Sequence, residues 1–296
     1  MKRKEHIVFQ KYHPLVIFLY LLGGIGVSMC TMHPVILLLS LGMMSVYGSL
    51  WIGKIFWIRL IGLGIPIAVF SVILMPLFSH RGETAVLYIN DMPVTQEMIC
   101  YGMTLLLLLL AVFAWFQLAA FLCDQEKILY LFGKVLPKFG LLLAMVFRLV
   151  PLMGQRFREI HDAQKCLGVN TKDKSLPEKV GQFTKELSIL ISWFLEESME
   201  RAISVESRGY GVKKRTSFCL FHWGTKDGVV FVMLMLLYGI TLWQLLIGAY
   251  QSTFFPIIRM VGFSWESIGG GLSFGIAMLM PAIIEIMAMK ARACPR

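Results

Sequence analysis

No GxxxxGK[ST] run occurs in the sequence, so the chain cannot hold ATP in the P-loop manner by itself. There is also no HExxH and no GxSxG, which leaves hydrolytic and metal-assisted catalysis without a motif to support it. The six cysteines, Cys30, Cys100, Cys123, Cys166, Cys219 and Cys294, show neither CxxC nor metal-ligand spacing. Scattered thiols of this kind fit a reducing compartment or lipid-facing positions, not a disulfide framework. The basic N-terminus, MKRKEHIVFQKYHP, runs into a full-length apolar stretch without a small-residue cleavage site, so it does not read as a removable signal peptide. No internal repeat and no low-complexity segment is found. Acidic residues are scarce, 18 against 28 basic ones. The resulting charge of +10 does not mark a nucleic-acid binder, because the basic residues sit between apolar runs and not in one patch.

What the sequence has in quantity is apolar residues. At 57% hydrophobic with a mean hydropathy of +0.71 it exceeds the roughly 45–50% of soluble domains, and it reads as an integral membrane protein. Stretches of about 20 apolar residues, enough to cross a bilayer, occur at 14–31, 33–52, 60–78, 98–122, 229–247 and 272–289. The expected fold is therefore an all-α polytopic membrane protein of about six transmembrane helices. Its three regions are four spans in 1–123, amphipathic cytoplasmic or interfacial helices in 124–216, and two spans in 217–296. With both termini cytoplasmic, Lys54, Arg59, the central block and the basic C-terminus all fall inside, and the acidic 79–97 loop falls outside. The stretch 139–150 is apolar but is interrupted by Arg148 and Pro151. It is expected to be an interfacial helix, too short to cross. Gly23, Gly24, Gly26 and Ser28 in the first span, with Gly62 and Gly64 in the third, permit close helix contact, either internal or with another membrane protein.

The central block holds 27 of the chain's 28 basic and 18 acidic residues. Ser175 and Glu178 form a capping box with Pro177 in the first turn, which predicts a helix start. Val180, Phe183, Leu187, Leu190, Ile191 and Phe194 then recur at helical spacing, with Glu186, Glu196, Glu197, Glu200 and Arg201 as the polar side. Gly209 supplies the stop, which puts Arg208 in the last turn. Two readings of Arg208 stand. The helix dipole alone favours a cation there, by about 0.3–1 kcal/mol. A guanidinium fork at a helix tip also suits a carboxylate or carbonyl cluster on a partner. His161 reads as a polar-face residue.

At these residues the chain resembles a known family. MERAISVESRGYGVKKRT (199–216) resembles the A-R-G coupling motif of the T component of energy-coupling-factor (ECF) transporters, the EcfT/CbiQ family. AMVFRLVPLMGQRFREIHDAQKCLG (144–168) is similar to the segment that leads into that family's first A-R-G motif, and a looser likeness covers residues 13–250. Two departures stand out. Cys166, Leu167 and Gly168 replace Ala-Arg-Gly, so the first motif lacks its arginine, with Lys165, Arg156 or Arg158 as the nearby cations. Ser207 replaces the alanine of the second motif, and the chain beyond 251 adds a sixth span.

The resemblance implies a membrane scaffold that joins two ABC-type ATPases, here two different chains, to a separate substrate-binding membrane S component for vitamin or metal-ion uptake. ATP and Mg would be bound by the partner ATPases, with no cofactor on this chain, no catalysis by it and no nucleic acid; membrane lipid surrounds it. The coupling residues it implies are Ser207, Arg208 and Gly209 at one helix end, and Lys165, Cys166, Leu167 and Gly168 at the other. Arg148, Pro151, Arg156, Gln164, Arg201 and Glu206 would support them. Two other readings are weighed. A conventional ABC permease subunit carries E-A-A-x-x-x-G, loosely matched by Asp162, Ala163, Gln164 and Gly168. A stand-alone membrane enzyme or channel would want polar residues within the spans, and these are few.

Overall fold

Prolines and glycines set the breaks between helices. The structure, a computed structural model, describes residues 8–75, 84–89, 92–167, 175–212, 221–250, 252–255, 258–260 and 265–293. A 3₁₀ turn, Phe9–Lys11, leads to α1 (Pro14–Cys30). There Pro14 takes the first helical position, where its missing N–H costs nothing, and His13 Nδ1 accepts from the Leu15 N–H at 3.3 Å. Pro34 opens α2 (Pro34–Tyr47) in the same way, and a π-helical turn, Gly48–Ile52, extends it. The reversal into α3 (Lys54–Ala68) is made at Gly53, and a second π-helical turn, Val69–Leu74, follows Pro66. Within the loop expected at 79–97, β1 (Ala85–Ile89) and β2 (Met92–Thr95) pair antiparallel. Glu97 closes the base of this hairpin by accepting from the Thr84 N–H and Oγ1–H at 3.2 and 2.7 Å. The order continues with α4 (Gln96–Leu122), α5 (Gln125–Val135), α6 (Pro137–Cys166), α7 (Leu176–Ser207) and α8 (Thr225–Ile247). A short ribbon of β3 (Ser252–Thr253) and β4 (Arg259–Met260) precedes α9 (Trp265–Ala293).

The chain divides into two units, one made of residues 1–124 and 221–296 and the other of 125–220. In the first, α1, α2, α3, α4, α8 and α9 pack around aromatic side chains. Trp115 of α4 is fully buried, and Gly24 of α1 lies so close to its ring that any side chain there would clash. Gly23 faces Tyr238 of α8 in the same way, whereas Gly26 and Gly62 face open space. The small residues of the first span thus serve internal packing in part. A buried polar chain accompanies the rings: Trp115 Nε1–H donates to Ser40 Oγ at 2.9 Å, which is also 2.9 Å from Ser28 Oγ. Tyr47 and Tyr238 donate to the carbonyls of Met278 and Tyr20. In a lipid-facing bundle a buried hydroxyl or indole N–H without a partner costs several kcal/mol, roughly the penalty these contacts remove.

Six helical stretches among the described residues are long and apolar enough to cross a membrane: Pro34–Ile52, Lys54–Leu74, Gln96–Leu122, Phe139–Cys166, Thr225–Ile247 and Ser267–Ala288. At 17 residues Pro14–Cys30 is shorter, still inside the range of about 17–25 that a bilayer accepts. The protein is an all-α polytopic membrane protein, as its sequence predicts. The six candidate spans differ from the expected six in two places: the expected first span, Pro14–Cys30, is a shorter helix outside the set, and Phe139–Cys166 is added. The apolar stretch at 139–150 does not end at Arg148 and Pro151, because α6 continues through them to Cys166 as one 30-residue helix. A mid-helix proline removes one backbone hydrogen bond and costs about 3 kcal/mol. On the C-terminal side of Pro151, Phe157 packs against Phe183 of α7; on its N-terminal side Leu149 is buried.

The second unit consists of α5, α6 and α7. α6 and α7 pack antiparallel along their length. Phe157 meets Phe183 edge-on at 5.9 Å, the Arg156 guanidinium lies 4.9 Å over the Trp193 ring, and Leu149 and Met145 line a cleft with Phe194 and Val205.

Candidate functional site

The antiparallel pairing places the C-terminal end of α6 at one extremity of the pair and that of α7 at the other. With a rise of about 1.5 Å per residue, a helix of α7's length spans nearly 50 Å, so the two ends are widely separated. Each end carries one of the segments singled out in the sequence.

α7 begins after Ser175, whose N–H donates to Glu178 Oε2 at 3.3 Å, with Pro177 in the first turn. Its last helical residue is Ser207, and Arg208 is the C-cap. Gly209 adopts φ +81°, its N–H donates to the Glu206 carbonyl at 2.9 Å, and the Tyr210 N–H donates to Val205 at 3.3 Å. These two bonds are a Schellman cap, which needs a residue in the left-handed region at the glycine position. The cap satisfies terminal carbonyls and turns the chain sharply away, leaving Arg208 at the tip. Arg208 is exposed, and its side chain makes no ion pair or hydrogen bond among the described residues. Ser207 Oγ–H donates back to the Ser204 carbonyl at 3.0 Å.

α6 ends differently. Cys166 is its last residue and an exposed free thiol, and Leu167, the C-cap, is 76% exposed. Lys165 lies 3.6 Å from Asp162 one turn back. Gly168 lies outside the described residues, as do Cys219 and Cys294.

The other singled-out residues are spread along the pair. Arg148 and Pro151 are exposed, and Gln164 is half-buried. Arg156 bonds Glu159 at 2.7 Å while it covers Trp193. Arg201 donates through Nε and Nη2 to Glu197 Oε1 at 2.9 and 2.7 Å. Arg201 and Glu206 line a cleft of 590 Å³, with Tyr210 at its edge near the tip of α7.

The facing of α7 follows its sequence periodicity only in part. Of the apolar set, Leu190 is buried, Phe194 lines the cleft with α6 and Phe183 meets Phe157, whereas Val180, Leu187 and Ile191 are exposed and the polar Gln182 and Glu186 are buried. Glu186, expected on the polar side, is 3% exposed. Both its oxygens lie 3.1 Å from His161 Nδ1, and Oε1 also accepts from Gln182 Nε2 at 3.1 Å. His161, expected on a polar face, is half-buried and stacks near Phe157. A carboxylate buried this far needs such partners, so the clasp fixes the register of α6 against α7. The i,i+4 spacing of Gln182 and Glu186 was its one sequence trace. Among the described residues no group of three or more His, Cys, Asp or Glu could hold a metal ion.

Two energy-coupling factor transporter transmembrane proteins named EcfT are similar to this chain. The protein from Bacillus selenitireducens is 31% identical over 116 residues, 38% of this chain and 43% of its own length. That from Streptococcus equi subsp. equi is 31% identical over 99 residues, 33% of this chain and 37% of its own length. The chain thus aligns with less than half the length of these relatives. A family model, CbiQ, described as cobalt transport protein, matches residues 7–218, from before the 3₁₀ turn to beyond the Schellman cap. Over most of its length, and through both helix ends, the chain belongs to the CbiQ family of cobalt transport proteins.

Proposed function

We propose that this protein is the transmembrane T component of an ECF-type importer, coupling ATP-driven motion of cytoplasmic ATPases to a separate substrate-binding membrane subunit. The observation that carries the reading is the end of α7: a 32-residue helix closed by a Schellman cap, with an exposed guanidinium at its tip that makes no ion pair among the described residues. Family membership and the similarity to proteins named EcfT support it. A guanidinium fork suits an acidic groove, and a rigid helix transmits displacement along its axis. In this reading Ser207, Arg208 and Gly209 dock in one ATPase, and Lys165, Cys166, Leu167 and Gly168 dock in a second, different one. ATP and Mg are held by those ATPases and the chain itself is non-catalytic. The cargo is a micronutrient, vitamin or metal ion, recognised by the S component.

The orientation has both termini in the cytoplasm, with α6 and α7 on the cytoplasmic side and α6 not crossing. The charges in the second half of α6, Arg156, Arg158, Glu159, Asp162 and Lys165, support this placement. Single cysteines introduced by Lys179→Cys and Thr253→Cys, on a background without native cysteines, test it. Lys179→Cys should react with an impermeant thiol reagent only from inside and Thr253→Cys only from outside. Labelling of Lys179→Cys from outside would make α6 a span and overturn the topology. The function is tested by native mass spectrometry of the complex purified from membranes. Two ATPase chains and one small membrane subunit are expected beside this protein, and its recovery without any ATPase would refute the reading.

A further inference from the structure

The chain leaves the first unit after Asp124 and returns to it at Phe221. Both crossings are tied to the same short N-terminal stretch. Gln10 Nε2–H donates to Asp124 Oδ2 at 2.8 Å, 114 residues away. The His13 backbone N–H donates to Asp227 Oδ1 at 3.3 Å, 214 residues away, and the His13 ring lies edge-on to Trp223 at 4.6 Å. Asp227 Oδ2 accepts from the Gly224 N–H at 3.0 Å, which caps the start of α8. The stretch is anchored in turn. Phe9 is fully buried, its ring 5.5 Å from that of Tyr20 and stacked at 6.4 Å on that of Trp51, and His13 is 3% exposed. Burial and the nearby Asp227 charge push the Tyr12 phenol above its usual range.

Five residues that do no more than lead into a first span have no need of a buried aromatic anchor and contacts to two remote carboxylates. We propose that Phe9–His13 is a strap that holds together the C-terminal end of α4 and the N-terminal end of α8, so that displacement of the α5–α7 unit reaches both helices at once. Gln10, Asp124, His13 and Asp227 are its positioning residues. Without the strap, motion would be absorbed by fraying at 123–124 and 221–224. The inference rests on the reading of the second unit as a lever, and the first test below does not depend on that reading.

Hydrogen–deuterium exchange on the full chain in nanodiscs is the first measurement. In the double variant Gln10→Ala, Asp227→Asn, amides at 123–126 and 224–228 should exchange about tenfold faster, the scale of losing a hydrogen bond to a charged group. Amides around Trp115 should not change. Gln10→Glu, which sets a like charge against Asp124 at unchanged size, should loosen 123–126 alone. Unchanged exchange at these positions, or an equal rise throughout the chain, would overturn the strap. The second measurement uses the assembled complex. The double variant should retain its ATPases and ATP hydrolysis yet lose most transport. A disulfide across Gln10→Cys and Asp124→Cys, on a background without native cysteines, should preserve transport. Loss of transport on locking would show that the stretch must open, and would overturn a permanent strap. Failure of the unaltered protein to bind any ATPase would refute the lever reading while leaving the exchange result to stand.

Discussion

The ends of α6 and α7 are built from the same kind of sequence, a long amphipathic helix running into a glycine, yet they present different chemistry. At the tip of α7 the Gly209 cap satisfies terminal carbonyls and leaves Arg208 exposed, without a hydrogen-bond or ion-pair partner among the described residues. At the tip of α6 the exposed residue is Leu167, and the nearest cation, Lys165, already lies within 3.6 Å of Asp162. A helix C-terminus favours positive charge by about 0.3–1 kcal/mol, so both ends are electrostatically suited to a cation. Among the described residues, only α7 carries at its tip a cation without an ion pair. The difference teaches that the two ends offer a partner different chemistry. Antiparallel packing, with the buried Glu186 against His161 and Gln182, keeps the two ends at opposite extremities.

The sharpest way to break this comparison is to remove the guanidinium. Arg208→Ala should leave the protein folded in the membrane, since the side chain is exposed and makes no ion pair or hydrogen bond among the described residues. It should weaken ATPase association by about 2–5 kcal/mol if the arginine is buried against a carboxylate. Titration of purified ATPases onto nanodisc-embedded protein checks this, and unchanged affinity would reduce Arg208 to a dipole-compensating cation. A smaller effect is expected from the cap. Gly209→Val forces a β-branched residue into φ +81°, which strains the turn by about 1–2 kcal/mol. The last turn should fray, and affinity should fall by no more than that amount although Arg208 is intact. Exchange at the amides of Gly209 and Tyr210 would report the fraying directly.

Much of this geometry is legible in the sequence, because local rules govern it. Ser175, Pro177 and Glu178 specify a helix start and Gly209 a stop, and the structure has both within a residue. The apolar runs foretell the membrane helices for the same reason. Contacts decided at long range are not legible. The apolar spacing of Val180, Phe183, Leu187, Leu190, Ile191 and Phe194 suggests an inward face, which holds for Leu190 and Phe194 but not for Val180, Leu187 and Ile191, while the polar Gln182 and Glu186 are turned inward. Glu186 is buried because His161 stands opposite it, 25 residues away. Continuation of α6 through Pro151 is likewise not given by the local rule at the proline. The ties of Gln10 and His13 to Asp124 and Asp227 span even longer separations.

The smallest effects belong to the α6 end, and they test the asymmetry itself. Leu167 has no hydrogen-bond donor, so it can contribute only by filling an apolar part of its groove. Leu167→Ala should then cost about 1 kcal/mol of ATPase affinity, partial loss of one buried aliphatic side chain, and less than Arg208→Ala. Leu167→Arg is the more telling substitution. If the groove that receives this end were lined by carboxylates, as an arginine-binding groove must be, the present leucine would bury unpaired charge at a cost of several kcal/mol. Arginine would relieve that cost and tighten the complex markedly. In an apolar groove the substitution gives no gain, because a guanidinium would itself be desolvated without a partner. Lys165, 3.6 Å from Asp162, offers the groove a point charge without the fork, a weaker contact than an arginine's. The expected outcome is that Leu167→Arg leaves affinity unchanged or lowers it, in equilibrium titrations against each ATPase separately. Marked tightening would mean that both grooves are acidic, that one kind of ATPase serves both ends, and that α6 and α7 differ in sequence without differing in role.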